Sequence, residues 1–474
     1  MFRTNETEYG NLANIFKDRT IESKLLTERL NNNRFELIVL YGRRRIGKTS
    51  LALFVCRSKR ALYYHAKESP TNSDANLLDF YSLCIQYFPD LQKFRPDYAV
   101  LLEYLSKKVD VIIFDEVQNI LKENPKNSGI FAEIIDKFRL TQIAPLKIFM
   151  LGSSISLIKD EILRDPSPLF GRKTLDLKLN AINFGDIHFF FPEASFQQLV
   201  EIYGFADGIP YFLEEIQVSF WQWMENRLMT RQFYMDELEW LLRIELREPG
   251  RYFAILEAIA QGKKTNSAIL SHVFKEPTPM VSLTRYLDRL IAIDFIRKEV
   301  PITDNPLKSH LGRYILADNF LKFYFRIIIP NRNFIIQGLL HAEQIQRDYP
   351  TYLGLIFEDI VKEYLLRHPP IPFSRIGRWW GTSEEDMAKE IDLLAYDDNK
   401  TEALAVECKW QEKINPTEIA NKLQEKLQWI KFKGIHKEKS FILMIVAKSF
   451  TKKISQFDGK RIICLDLGDL KDWE

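Results

Sequence analysis

Two sets of residues in this chain have the types and spacing for chemistry on phosphates. The first is Gly42-Arg43-Arg44-Arg45-Ile46-Gly47-Lys48-Thr49-Ser50, which fits the pattern G-x-x-x-x-G-K-[ST]. Its glycines let the backbone wrap so that N–H groups face phosphate oxygens. Lys48 then reaches the β- and γ-phosphates of a nucleotide, and Thr49 offers a hydroxyl to Mg²⁺. Such a loop needs an acidic partner, and "VIIFDEVQ" supplies one. Asp115 is suited to hold Mg²⁺ and Glu116 to polarise an attacking water. The second set is Asp392 in "KEIDLLAY" with Glu407 and Lys409 in "ALAVECKW". Two carboxylates about 4 Å apart repel by roughly 4 kcal/mol at an effective dielectric of 20, so they converge comfortably only on a cation or a proton. Mg²⁺ takes one or two carboxylates and keeps waters, one of which can attack a phosphodiester. Lys409 would orient that water or stabilise charge developing on the phosphate.

The elements around both sets are those the chemistry needs. "ELIVLY" (36–41) is an apolar strand running straight into the glycine loop, and "LALFVC" continues from it as a helix. Further strands are predicted over 61–66, 109–116, 146–154 and 173–179, mostly separated by helical stretches. That alternation predicts a parallel sheet covered on both faces. From about 180 to 330 helices dominate. "RYFAILEAIAQGKKTNSAILSHVF" and "TPMVSLTRYLDRLIAIDFIRKEVPI" read as three helices and a wing. The third helix would turn Leu283, Leu287 and Leu290 inward, with Ser282, Thr284, Arg285 and Asp288 outward. Arg285 and Arg289 beside Asp288 make a thin basic face, open to DNA contact or to an interdomain role.

An αβ pattern returns after about 350: a helix "YLGLIFEDIVKEYLLR", strands over 373–380, 389–396 and 402–410, a helix from Pro416 and a strand over 440–447. Glu407 and Lys409 are two apart on their strand and share one face. Asp397-Asp398-Asn399-Lys400 turns the preceding strand back against it, which brings Asp392 toward Glu407.

At 474 residues the chain exceeds what one core supports. Its net charge of +2 predicts no dominant polyanion partner for the molecule as a whole. Cys56, Cys84, Cys408 and Cys464 lie far apart with no CxxC pair, which argues against a zinc knuckle or a disulfide framework and for a reducing compartment. The first residues carry no apolar signal region, and no apolar run approaches the roughly 20 residues of a bilayer helix. A cytoplasmic protein without membrane contact is expected.

"VLYGRRRIGKTSL", "IIFDEVQ", "SPLFGR", "DGIPYFL", "LREPGRYFAILEAIAQG" and "YILADNFLKFYFRIIIPNR" together resemble the archaeal-type ATPases of the STAND branch of AAA+, over nearly the whole chain. The resemblance implies a P-loop ATPase core over 1–180, a helical lid over 181–245 and a winged helix over 246–335. It implies ATP and Mg²⁺ as cofactors, Ser153 as a γ-phosphate sensor and Arg172 as an arginine finger. Ser153 reads equally as a helix cap, and Arg172 as a structural arginine. Pro210 of Gly208-Ile209-Pro210 would lie near the adenine. The family's N-terminal F-x-G-R-E box is only partly kept, since "FKDRTIE" retains Phe16 and Arg19.

Residues 336–474, with Asp392…Glu407-x-Lys409 inside αβββαβ, resemble the core of PD-(D/E)XK nucleases. Glu358 matches that family's acidic residue on the first helix, a further metal ligand, and Gln411 a polar residue some members carry. The implied function is an ATP-dependent switch coupled to a metal-dependent nuclease, acting on DNA ahead of RNA, with self-association through the ATPase domain. The alternative is a regulatory or signalling ATPase whose winged-helix and C-terminal domains bind DNA or a protein partner without cutting.

Overall fold

The computed structural model of the chain describes residues 19–470 except 142–144, 218, 232, 247, 275–279, 383–387 and 433–438. Phe16 lies outside the described residues. The chain condenses into two compact units. One runs to Ile182 and takes in Ile209–Tyr211; the other holds Asn183–Gly208 and everything from Phe212 onward. The expected boundary at 180 falls beside this break, whereas those at 245 and 335 fall inside the second unit.

The first unit is built on strands β1 (Glu36–Tyr41), β2 (Ala61–His65), β3 (Val111–Asp115), β4 (Lys147–Gly152) and β5 (Leu175–Lys178). They form one sheet in the order β2-β3-β4-β1-β5, every neighbouring pair parallel. β1, β3 and β4 are buried along their whole length, as expected of central strands covered by helices on both faces. Phe80, Tyr98, Phe114 and Phe131 fill the core on one face. The order matters for chemistry, because β1 and β3 end on the same edge with β4 between them. The glycine loop, Asp115 and Ser153 all emerge from that edge, where ligands of parallel sheets sit.

In the second unit, helices Pro249–Ala260, Asn266–Val273 and Met280–Ala292 are followed by the antiparallel hairpin β6 (Ile296–Glu299) and β7 (Arg313–Leu316). Leu283, Leu287 and Leu290 are fully buried, while Thr284, Arg285 and Asp288 face solvent, the helical periodicity seen in the sequence. A helix Ala342–Arg367 then leads into strands β8 (Arg375–Thr382), β9 (Ala388–Tyr396), β10 (Glu402–Lys409), β11 (Ser440–Ala447), β12 (Gln456–Phe457) and β13 (Lys460–Leu465). Their order is β12-β13-β11-β10-β9-β8. β8, β9 and β10 are antiparallel, while β10, β11 and β13 run parallel through the helix Pro416–Leu427 that crosses between β10 and β11.

The Ile296–Leu316 hairpin segment packs along β8. Ile302 N donates to Arg378 O at 3.0 Å, Trp380 Nε1 to Leu311 O at 3.1 Å, and Tyr396 Oη to Ile302 O at 3.1 Å. Trp379 and Trp380 are both buried. Among the described residues no helix is long and apolar enough to cross a membrane.

Candidate functional site

The loop between β1 and the helix Lys48–Val55 owes its shape to two glycines. Gly42, at φ 153°, faces the Leu179 carbonyl so closely that a Cβ there would collide with it. Gly47, at φ 88°, is left-handed, and a Cβ added to it would lie 3.7 Å from the Pro210 ring. Lys48, Thr49 and Ser50 form the first helical turn, so the dipole and the open N–H groups of that helix point into the loop. Lys48 is buried and donates to the carbonyls of Gly42 and Arg43, both at 3.0 Å. Its ammonium is thereby held at the mouth of the loop, on groups a phosphate would replace. Arg45, at φ 67°, lays its guanidinium 4.0 Å over the Tyr211 ring.

Asp115 closes the acidic side. Its Oδ2 accepts from Thr49 Oγ1 at 2.7 Å and from Tyr63 Oη at 2.8 Å, and His65 Nδ1 lies 3.7 Å away. Burial works against its charge, yet the bonds from His65, Thr49 and Tyr63 outweigh it and hold the carboxyl below its usual range. Glu116, at φ 53°, turns its carboxylate toward β4, where Oε2 accepts from Ser153 Oγ at 2.7 Å, from Ser153 N at 3.2 Å and from Gln118 Nε2. Ser153 therefore binds Glu116, and the helix cap falls to Ser154, whose Oγ accepts from Leu157 N.

Arg172 stands apart from this cluster. Its Nε lies 3.0 Å from both oxygens of Asp136 and its Nη2 2.7 Å from one, with a further bond to Pro168 O. In this conformation the guanidinium is engaged by Asp136, the kind of pairing the structural-arginine alternative expects. Arg19 proves more useful than its broken box suggests. It is buried and donates to Ile46 O at 3.0 Å and Asn180 O at 2.7 Å, clamping the back of the loop.

On the second sheet, Val406 of β10 pairs with Leu393 of β9, so Glu407 and Asp392 come next in register. Asp392 Oδ2 accepts from Cys408 N at 2.7 Å. Lys409 Nζ lies 2.9 Å from Glu407 and 3.9 Å from Asp392. Lys426, from the crossover helix, reaches both Glu407 oxygens at 3.1 and 3.0 Å. Burial, then the charge of Glu407, pushes Asp392 up to about 6; burial, then the charge of Asp392, pushes Glu358 up to about 7. Glu358 itself accepts from Arg378 Nε at 2.9 Å. The three expected carboxylates thus share one field, but Glu407 is held by two lysines. Among the described residues no group of three His, Cys, Asp or Glu side chains is set to hold a metal. Gln411 is exposed, and its carbonyl accepts from Lys448 N at 3.1 Å.

Lys426 and Arg378 were not legible as site residues. Lys426 lies between the buried Leu423 and Leu427, at the border of the helix face that meets the sheet. That position was the one available signal.

Two family models match the chain. One, described as an ATPase domain predominantly from Archaea, covers residues 16–216; the other, described as archaeal and bacterial proteins of unknown function, covers 324–423. The uncharacterized protein MJECL04 of Methanocaldococcus jannaschii is 41% identical over 405 residues, spanning 84% of this chain and 88% of that protein. Among solved structures, the Walker-type ATPase PABY2304 of Pyrococcus abyssi superposes with a TM-score of 0.51 at 24% identity, over 66% of this chain and 96% of that one. The last likeness gives the fold: a parallel α/β sheet of the P-loop NTPase kind. With the glycine loop, the Thr49–Asp115 pair and a relative of this identity in hand, the chain belongs to the archaeal-type P-loop ATPases that carry this ATPase domain ahead of a C-terminal domain of unknown function.

Proposed function

We propose that the chain is an ATP-hydrolysing switch of the STAND type, joined through a winged helix to a PD-(D/E)XK nuclease-like domain that acts on nucleic acid. The observation that carries the first half is the Thr49–Asp115 hydrogen bond of 2.7 Å beneath the glycine loop. A hydroxyl and a carboxylate held ionised at that separation fit Mg²⁺, which takes few protein oxygens and keeps several waters. When bound there, Mg²⁺ supplies neutralising charge on the β- and γ-phosphates.

The chain's own residues do the rest. Backbone N–H groups from Gly42 to Ser50 cradle phosphate oxygens, Lys48 leaves its two carbonyls for the phosphates, and Pro210 flanks the base. Glu116 orients the attacking water once Ser153 releases its carboxylate, a restraint that keeps the base off the nucleotide in this conformation. Arg172 takes part only if it leaves Asp136.

In the C-terminal domain Asp392, Glu407 and Glu358 are donors of the type a divalent cation takes, although in this conformation they are not gathered to hold one. Burial, with the charge of Glu407 on Asp392 and of Asp392 on Glu358, already pushes both carboxyls up, which a bound cation would relieve. Asp392 and Glu407 would hold the cation once Lys426 leaves Glu407, and the cation would supply charge to a phosphate that Lys409 helps bind. One observation favours the second reading, binding of DNA or a protein partner without cleavage: Glu407 is already neutralised by two lysines.

The ATPase half is tested by turnover of Mg²⁺-ATP. Lys48→Ala abolishes it, while Glu116→Gln keeps binding and loses about 10²–10⁴-fold in rate. A Lys48→Ala variant that turns over ATP like wild type sinks the assignment.

A further inference from the structure

Strand β2 forms the edge of the first sheet, yet two of its side chains reach toward the carboxylate that ends its neighbour β3. Along "ALYYHA" the side chains alternate between faces. Leu62 and Tyr64 turn into the core, where the Tyr64 ring centroid stands 5.2 Å from that of Phe80 and 6.5 Å from that of Phe114. Tyr63 and His65 therefore share the opposite face, and the register sets His65 beside Asp115. Tyr63 is half-buried and His65 exposed.

Both oxygens of the Asp115 carboxylate are spoken for. Oδ2 accepts from Thr49 Oγ1 at 2.7 Å and from Tyr63 Oη at 2.8 Å, and Oδ1 accepts from Glu116 N at 3.0 Å. The phenol thus grips the same oxygen that the Thr49 hydroxyl meets. His65 Nδ1 lies 3.7 Å from that oxygen and is the competing partner. Without the phenol, the carboxyl is free to swing onto the imidazole, and Thr49 loses its acceptor. A carboxylate that serves a metal depends on such outer bonds, and removing one typically lowers metal affinity or activity by about 10–100-fold.

We infer that Tyr63 is a positioning residue for the magnesium side of the nucleotide site. Its hydroxyl keeps the Asp115 carboxylate on Thr49 and off His65, so that the pair is preset for hydrated Mg²⁺ on the phosphates. This rests on the reading of Thr49 and Asp115 as the residues that take Mg²⁺, and it extends that site to the edge strand.

The test uses the full-length protein and Tyr63→Phe, which removes one oxygen and keeps the ring. Binding of a fluorescent, non-hydrolysable ATP analogue is titrated in EDTA and across a Mg²⁺ series, and ATP turnover is followed over the same series. Wild type is expected to bind the analogue more tightly in Mg²⁺ than in EDTA. Tyr63→Phe should bind it in EDTA within about twofold of wild type, yet need about tenfold more Mg²⁺ for half of that tightening and for half-maximal turnover. A variant with the wild-type Mg²⁺ requirement would overturn the inference and leave the magnesium site standing. An equal loss of binding in EDTA and in Mg²⁺ would also overturn it, since a merely structural tyrosine behaves that way. Wild type that binds the analogue equally with and without Mg²⁺ would remove the magnesium reading of Thr49 and Asp115, and the inference with it.

Discussion

Replacing Arg378 by Met should expose how the second unit holds its candidate site together. The Arg378 side chain is 16% exposed and donates to Glu358 at 2.9 Å, Asp359 at 2.8 Å and Glu299 at 3.2 and 3.3 Å. Arg297 at 3.2 Å and Lys322 at 3.2 Å complete the set around Asp359, so three cations face three carboxylates. Met fills similar space but leaves one buried negative charge without a partner, a loss of about 3–5 kcal/mol. In a domain of this size that corresponds to roughly 10 °C in unfolding temperature.

The loss depends on pH, and its sign follows from Glu358. Its carboxyl is already pushed up to about 7 by burial and by Asp392, with Arg378 opposing the rise. Without Arg378 it rises further, so the variant's deficit is full only above that raised value and falls to its minimum as pH drops to about 7, below which Glu358 is protonated in both proteins. Asp359 does not offset this, since its folded value stays far below that window. Calorimetric unfolding at pH 8 and pH 5 reads both effects. The double variant Arg378→Met/Asp359→Leu removes one charge of each sign and should unfold no lower than Arg378→Met alone. A shift under about 2 °C, or one equal at both pH values, would refute the reasoning.

Asp392→Asn should stabilise the metal-free protein at pH 8. Carrying its charge there costs at most about 3 kcal/mol for a carboxyl raised from 3.8 to about 6. The gain fades as pH falls from 6 toward 4, where the wild-type carboxyl protonates, and a pH series of urea unfolding checks it. Arg19→Ala removes two charge-assisted bonds, one of them to the phosphate loop, for about 3 kcal/mol. Calorimetric titration with Mg²⁺-ATP should give weaker binding as well as a lower unfolding temperature. Ser153→Ala removes one of the three bonds that hold the Glu116 carboxylate and should change the rate of ATP hydrolysis while leaving nucleotide affinity within about twofold, measured by turnover and titration.

Much of this was written locally in the chain. "ELIVLY" became β1 residue for residue, because a six-residue apolar run ending at a glycine has few other solutions. "VIIFDE" placed its carboxylates at a strand end for the same reason, and the 397–400 turn set the register that brings Asp392 to Glu407.

What the sequence concealed depends on partners far away. Arg172 is held by Asp136, thirty-six positions earlier, and no local pattern carries that pair. Lys426 reaches Glu407 only because its helix docks with that edge against the sheet. β13 escaped notice because Lys460–Leu465 has a single fully buried residue and no clean alternation. The Ala342–Arg367 helix runs through Pro350, where a boundary is the usual expectation, and begins at a cap in which Gln344 accepts from His341 N at 2.8 Å.

The most direct measurement is cleavage of single- and double-stranded DNA and RNA in Mg²⁺ or Mn²⁺, with and without ATP. Wild type would be compared with Lys409→Ala and Lys48→Ala. The account predicts cleavage that disappears in Lys409→Ala and responds to ATP only while Lys48 is intact. Wild-type protein that turns over ATP yet cuts none of these substrates would contradict it, and the C-terminal domain would then be a binding module.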